Sequence, residues 1–341
     1  MRFEEEVTMI PIWGDRIPGN TGESKLKYLH PNHDLTMQDI FQTKGGIWDK
    51  SSDEITNTEA DDTMVWRDEI ESGYGRETMD DVPFLVPYIV PGSRKAVISC
   101  PGGAYLSKSV VAEGSDIAGF LNAAGISCFV LWYRTQPYRQ PYMFLDLQRA
   151  IRYVRYHAEE YGIDPEQIST IGFSAGGNLA GVAAVNYGNK PVDVPGYTPD
   201  EIDAVDGRAD AVALCYPAIS LEHDKAFSVL IGLDAYNDHA KRKEEGEKLD
   251  VLLNLHKDVP PMFICTCADD AVVPPAKDAE LAARAIELGI DCECHIFPYG
   301  GHGFGACVTR ESGMPFPAPD FSAVESWKQL YVNWLNHTFA G

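Results

Sequence analysis

Gly172-Phe173-Ser174-Ala175-Gly176-Gly177 follows a short apolar run, Ile168 to Ile171, and leads into a small-residue stretch, Asn178 to Val185. The run reads as a strand and the stretch after it as a helix. A serine between glycines at such a junction is a turn that presents its hydroxyl at the mouth of a helix. The turn is too tight for side chains at its flanks, so glycine stands there. The helix dipole then favours negative charge developing beside the serine. By itself the hexapeptide also fits an ordinary Gly/Ser loop leading into a helix. The rest of the chain discriminates between the two.

Strand and helix patterns alternate around the hexapeptide. Val82 to Val90, Lys95 to Cys100, Ile126 to Leu131, Ala211 to Cys215, Met262 to Ala268 and Glu293 to Phe297 read as strands. Asp116 to Ala124, Phe144 to Tyr161, Pro275 to Leu288 and Phe321 to Phe339 read as helices. In the second, Phe144, Leu147, Ile151, Val154, Ala158 and Tyr161 recur at helical steps, and Gly162 follows as a stop. This alternation predicts an α/β fold: a mostly parallel central sheet flanked by helices. Residues 1–81 are polar and acidic, but Trp13, Trp48 and Trp66 argue against a disordered arm. They are read as an N-terminal extension packing on a catalytic domain at 82–341. Within that domain, residues 221–258 follow a strand end and form a polar, partly helical insertion, a candidate small cap.

A serine hydroxyl needs a base within hydrogen-bond reach, and that base needs an orienting carboxylate. The strand Met262 to Ala268 ends in Asp269-Asp270-Ala271-Val272-Val273-Pro274. Asp270 is the candidate acid, and Asp269 a candidate partner of local backbone amides. The strand Glu293 to Phe297 ends in Pro298-Tyr299-Gly300-Gly301-His302-Gly303. His302 is the candidate base, in a glycine-rich loop that can bend toward the serine. The order Ser174, Asp270, His302 is that of one class of triad enzymes. Acyl transfer also needs amide donors for a developing oxyanion. Ala175, directly after the serine, supplies one. Gly102 and Gly103 in Pro101-Gly102-Gly103-Ala104-Tyr105 are the candidates for the other. Tyr105 and Trp13 are candidate aromatic surfaces for substrate, weighed against a place in the core.

Composition narrows the remaining choices. With 28 Lys and Arg against 51 Asp and Glu, the chain carries a formal charge of −23. That excess disfavours nucleic acid and anionic membrane surfaces as partners. No stretch approaches the ~20 apolar residues of a membrane span. Met1-Arg2-Phe3-Glu4-Glu5-Glu6 lacks an apolar signal core, although a signal could have been removed upstream. A cytoplasmic location is expected. Eight cysteines without small-scaffold spacing read as free thiols. Cys265-x-Cys267 and Cys292-x-Cys294 each face one side of an apparent strand, and four thiols would lie close together if those strands are neighbours. A metal site is not expected.

Together these motifs resemble the α/β-hydrolase superfamily, in its esterase/lipase branch of small carbohydrate acetylesterases and acetyl-xylan-esterase-like carboxylesterases. The residues that carry the resemblance are Pro101 to Tyr105, Glu113-Gly114, Tyr133-Arg134, Gly172 to Gly177, Asp270 with Val273-Pro274, and Gly301-His302-Gly303. Ile10-Pro11-Ile12-Trp13 is similar to that branch's Trp-containing lead-in. Pro101 stands where many such esterases have His, and Ala104 where many have a third Gly. The resemblance covers residues 82 to 340 well and 30 to 80 poorly. It implies a serine esterase for short acyl esters, often acetyl groups on xylan-derived sugars, with no metal or organic cofactor. The partner implied is a small-molecule ester, an acetylated oligosaccharide being one candidate. A packed N-terminal arm could also serve a homo-oligomer. The triad does not separate this reading from an arylformamidase, a lactonase or a small peptidase. A non-catalytic binding protein on the same fold would be expected to have lost a triad member.

Overall fold

The computed structural model describes residues 9–14, 17–20, 82–105, 108–135, 138–190, 192, 194–222, 226–308 and 320–340. Their strands form one sheet of eight, in the order β1-β2-β4-β3-β5-β6-β7-β8. The strands are β1 (Ile10–Pro11), β2 (Phe84–Tyr88), β3 (Ala96–Cys100), β4 (Ser127–Trp132), β5 (Ile168–Phe173), β6 (Ala211–Cys215), β7 (Met262–Cys267) and β8 (Cys292–Phe297). β1 and β2 run antiparallel to their neighbours, and every pairing from β4 to β8 is parallel. Every residue of β3, β4, β5, β6 and β7 is buried, as expected of strands covered on both faces. β8 closes the sheet and is only half-buried.

The covering helices are α1 (Asp116–Ala123), α2 (Tyr142–Tyr156), α3 (Ala158–Tyr161), α4 (Ala175–Val182), α5 (Ala226–Ile231), α6 (Leu233–Asn237), α7 (His239–Leu249), α8 (Ala276–Glu287) and α9 (Trp327–Thr338). The helix read over 144–161 is broken at His157 into α2 and α3, and Gly162 at φ +71° ends it. The apolar stripe of α2 is buried, yet so are Asp146, Arg149 and Arg152. They are tolerated because each is paired: Arg134 with Asp146, Arg149 with Asp200 and Asp203, Arg152 with Asp203. Several of these groups also clamp the N-terminal arm. Arg149 Nε donates to the Ile12 carbonyl at 2.8 Å, and Arg134 to that of Pro18 at 2.5 Å.

The described part of the 1–81 extension therefore adds an edge strand to the sheet and sends Ile12 into the core. Trp48 and Trp66 lie outside the described residues. The 221–258 insertion contains α5, α6 and α7 and packs on the α2 and α4 side. Gln140 donates to Leu230, and Asn178 to the carbonyl of Leu249. The two Cys-x-Cys pairs lie on neighbouring strands but on opposite faces. Cys294 sits across from Ile264, and Cys265 across from His295. Side chains alternate along a strand, so the four thiols do not converge.

Candidate active site

The carboxyl ends of β3, β5, β7 and β8 carry the loops on which the candidate residues stand. Ser174 leaves β5 with φ 51° and ψ −117°, a strained conformation that turns the chain directly into α4. The glycines are required by contact. A Cβ on Gly172 would lie 2.1 Å from the Gly176 carbonyl oxygen, and one on Gly176 would lie 2.0 Å from that of Cys100. The strained residue is held from both sides. Its N–H donates to Cys215 at 3.1 Å, and its carbonyl accepts from Ala218 at 3.1 Å.

His302 bridges the serine and the acid. Its Nε2 lies 2.8 Å from Ser174 Oγ and its Nδ1 lies 2.8 Å from Asp270 Oδ2. With the carboxylate accepting from Nδ1–H, Nε2 is left to accept from the hydroxyl. Asp270 Oδ1 accepts from the backbone N–H of Val272 at 2.8 Å and Val273 at 2.9 Å. Burial opposes the Asp270 charge. The hydrogen bond and charge of His302, with those two amides, outweigh burial and hold the carboxyl below its ordinary value. Asp269 has a different place: its Oδ1 accepts from Gly301 N–H at 2.8 Å and shapes the loop that carries His302.

The structure corrects the expected oxyanion donors at one position. Gly102 N–H donates to Glu113 Oε2 at 2.6 Å in a buried contact, so it is not free for substrate. Glycine is still needed there, because a Cβ would lie 2.6 Å from the Phe173 carbonyl oxygen and 2.9 Å from Ser174 Cβ. Gly103, at φ 134°, and Ala175 remain as the donor candidates. Ala175 is the first residue of α4, so its N–H has no carbonyl a turn behind it.

Two further expectations are corrected by burial. Trp13 is 5% exposed; its Nε1 donates to Asp146 Oδ1 at 3.0 Å, and the Arg149 guanidinium lies over its ring at 4.7 Å. Tyr105 is 1% exposed, and its hydroxyl donates to Asn178 Oδ1 at 2.8 Å. Neither ring offers a face to a sugar. Trp13 fastens the arm, and Tyr105 fastens the glycine loop to α4. Glu113 enters the sequence reading only as part of the resemblance, with no role attached, and Tyr216 does not enter it. Glu113 sits in a π-helical turn, Val111–Ser115, and its Oε1 accepts from the Tyr216 hydroxyl at 2.8 Å. The signals for it were the Glu113-Gly114 motif and its place directly after the apolar run Val110-Val111-Ala112.

The BD-FAE family model matches residues 85–284. An acetylxylan esterase of Xylanibacter ruminicola is 29% identical over 218 residues, covering 62% of this chain and 42% of its own. Endo-1,4-beta-xylanase B of Butyrivibrio fibrisolvens is 30% identical over 254 residues, covering 70% of this chain and 37% of its own. The chain thus spans less than half the length of these two relatives. Among solved structures, an acetyl ester-xyloside bifunctional hydrolase from Caldicellulosiruptor lactoaceticus superposes with a TM-score of 0.62 at 31% identity. That alignment covers 80% of this chain and 94% of the other. The fold is the α/β-hydrolase fold that the strand and helix alternation predicts.

Proposed function

The chain belongs to the BD-FAE family, and from that premise we propose that it is a serine carboxylesterase that hydrolyses short-chain, chiefly acetyl, esters on carbohydrate-derived substrates. The observation that carries the reading is His302, within 2.8 Å of both Ser174 Oγ and Asp270 Oδ2. His302 Nε2 takes the serine proton as Oγ attacks the ester carbonyl. The oxyanion that forms is met by the N–H groups of Gly103 and Ala175. Asp270 holds the imidazole in register and stabilises the imidazolium. The same proton then passes to the leaving alkoxide, which departs as the alcohol and leaves an acyl group on Ser174. Water, deprotonated by His302, attacks that acyl-enzyme; acetate leaves and the serine is restored. Each step moves one proton through one nitrogen and needs no redox partner.

The named activities of the acetylxylan esterase and of the acetyl ester-xyloside hydrolase support the acyl and sugar classes. The insertion after β6 is assigned as the cap on the alcohol side, its polar α7 suiting a hydroxyl-rich leaving group. Among the described residues, no helix is long and apolar enough to cross a membrane. Eight unpaired cysteines support a reducing, cytoplasmic compartment. The test is Ser174→Ala assayed on p-nitrophenyl acetate and on acetylated xylo-oligosaccharides. Hydrolysis should fall on the order of 10⁴- to 10⁶-fold. Retention of a near wild-type rate would remove the assignment. Acetyl, butyryl and octanoyl esters compared side by side then read the acyl length.

A further inference from the structure

Between the oxyanion loop and the His302 loop lies a buried carboxylate that the mechanism above does not use. Both polar atoms of the Pro101–Gly102 peptide are taken. Its carbonyl accepts from the Tyr133 hydroxyl at 2.6 Å, and its N–H donates to Glu113 Oε2 at 2.6 Å. Pinning that peptide sets the direction of the next N–H, that of Gly103. Glu113 is itself anchored, its carbonyl accepting from Ser99 Oγ at 2.6 Å and its N–H donating to Ser109 at 3.0 Å.

Its second carboxylate oxygen reaches the other loop. Tyr216 OH donates to Glu113 Oε1 at 2.8 Å and accepts from Gly305 N–H at 3.0 Å. The Tyr216 ring stands edge-on to the His302 ring, centroids 4.9 Å apart. Tyr216 holds a φ of 38°, which a non-glycine residue adopts only when its surroundings impose it. A second tie runs alongside, from Ala306 N–H to the Ala112 carbonyl at 3.1 Å. An ionised carboxylate only accepts. With Gly102 N–H and Tyr216 O–H both donating to it, and Gly305 N–H donating to Tyr216, each proton has one place when Glu113 is an anion.

We propose that Glu113 is a positioning residue of the esterase reaction. It orients the oxyanion loop through Gly102, holds the His302 loop through Tyr216 and Gly305, and sets a second fixed negative charge near the imidazolium. The proposal rests on the serine-esterase reading of this site. The groups that face His302 are Ser174 from the elbow, Asp270 from the β7 loop, Tyr216 after β6, and Glu113 across them. Those that face Glu113 are Tyr216, His302 and the Cys215 thiol. Burial pushes the Glu113 carboxyl above its ordinary value, while Tyr216, Gly102 and the proximity of His302 pull it back.

The experiment is the pH dependence of kcat and KM on p-nitrophenyl acetate for wild type, Glu113→Gln and Tyr216→Phe. Fluorophosphonate labelling of Ser174 in the wild type is measured first. Absence of labelling would strike the serine-esterase reading and not the role of Glu113. Glu113→Gln keeps the shape and removes the charge. Its kcat should fall about tenfold, the scale of one charge-assisted hydrogen bond. KM should hold, because Glu113 does not touch the ester. The acidic limb of kcat/KM should move to lower pH, because a cationic His302 has lost a stabilising charge. Tyr216→Phe keeps the charge and removes a bond that stabilises it. Glu113 then protonates more readily, so the charge beside His302 is lost over part of the acidic range, and the limb should move the same way, to lower pH, but by less than in Glu113→Gln. A merely structural role would lower the amount of folded enzyme and move neither limb. Unmoved limbs in both variants overturn the proposal. If Glu113→Gln does not fold, Tyr216→Phe decides alone: a shift of the limb to lower pH supports the proposal, and an unmoved or raised limb overturns it.

Discussion

A Cβ added to Gly176 would lie 2.0 Å from the carbonyl oxygen of Cys100, while Lys248 on α7 reaches Glu244 and Glu245 from a side chain that is 53% exposed. The elbow edge of the sheet and the insertion between β6 and β7 lie on one chain under opposite constraints. At the elbow, backbone meets backbone, and each residue type follows from a contact that admits no other. Along α7, charges pair across helical turns through water, and many sequences would serve. A reaction needs atoms within hydrogen-bond reach, so its residues leave a pattern. A solvated helix face needs only polarity, and its pattern names no ligand.

The sharpest way to break this contrast is Gly176→Ala. The clash is with backbone of β3 and of the oxyanion loop, the Pro101 carbonyl oxygen being 2.7 Å from the added carbon. No side chain can swing aside. Stability should fall by about 4 kcal/mol or more, read by thermal or chemical unfolding. In the folded fraction, kcat should drop on the order of 10²-fold as a donor amide is displaced. A variant that melts and turns over like wild type would show that the elbow is as tolerant as α7.

The same contrast explains what could be read in advance. Ser174, Asp270 and His302 stand at strand ends in a required order, and strands are visible as apolar runs. The structure brings all three together. The sequence offers Gly102 as an oxyanion donor because a paired-glycine turn shows which amides can approach a ligand. It does not show which amide a buried acid will take: Glu113 lies 11 positions from Gly102, in a motif whose residues name no role, and its partner Tyr216 lies 103 positions away. For Trp13 and Tyr105 the sequence leaves surface and core open, because an aromatic ring suits either. Pairing across distance decided them: Trp13 with Asp146, 133 positions on, and Tyr105 with Asn178, 73 positions on. The two Cys-x-Cys pairs needed the strand register, which no local pattern carries.

Asp278 sharpens the comparison from within the core. Like Glu113 it is a buried carboxyl, but neither of its oxygens has a partner at hydrogen-bonding geometry. Burial outweighs the neighbouring Thr266 hydroxyl and, with the negative Asp270 nearby, pushes Asp278 up to about 7. In the unfolded chain it ionises near 3.8. The folded state therefore holds a proton that the unfolded state has lost, and stability falls as pH rises from about 4 through about 7. Asp278→Asn removes that penalty while keeping the shape. Its Tm should exceed wild type by about 2–4 °C at pH 8, with the gain vanishing near pH 4. A gain that does not depend on pH would mean that packing, and not charge, limits this site.

Lys248→Ala should do least. Its ion pairs with Glu244 at 3.0 Å and Glu245 at 2.9 Å are screened by water, and such pairs contribute about 0–1 kcal/mol. Unfolding should shift by no more than about 0.5 kcal/mol, and p-nitrophenyl acetate hydrolysis should not change. The informative measurement is the second substrate. If KM for an acetylated xylo-oligosaccharide also holds, the charged face of α7 is a solvated surface that does not meet the substrate. If KM rises while the aryl ester is unaffected, α7 touches the alcohol moiety. The contrast with the elbow then narrows, because a residue with no steric mandate would carry specificity through a charge that only the larger substrate can reach.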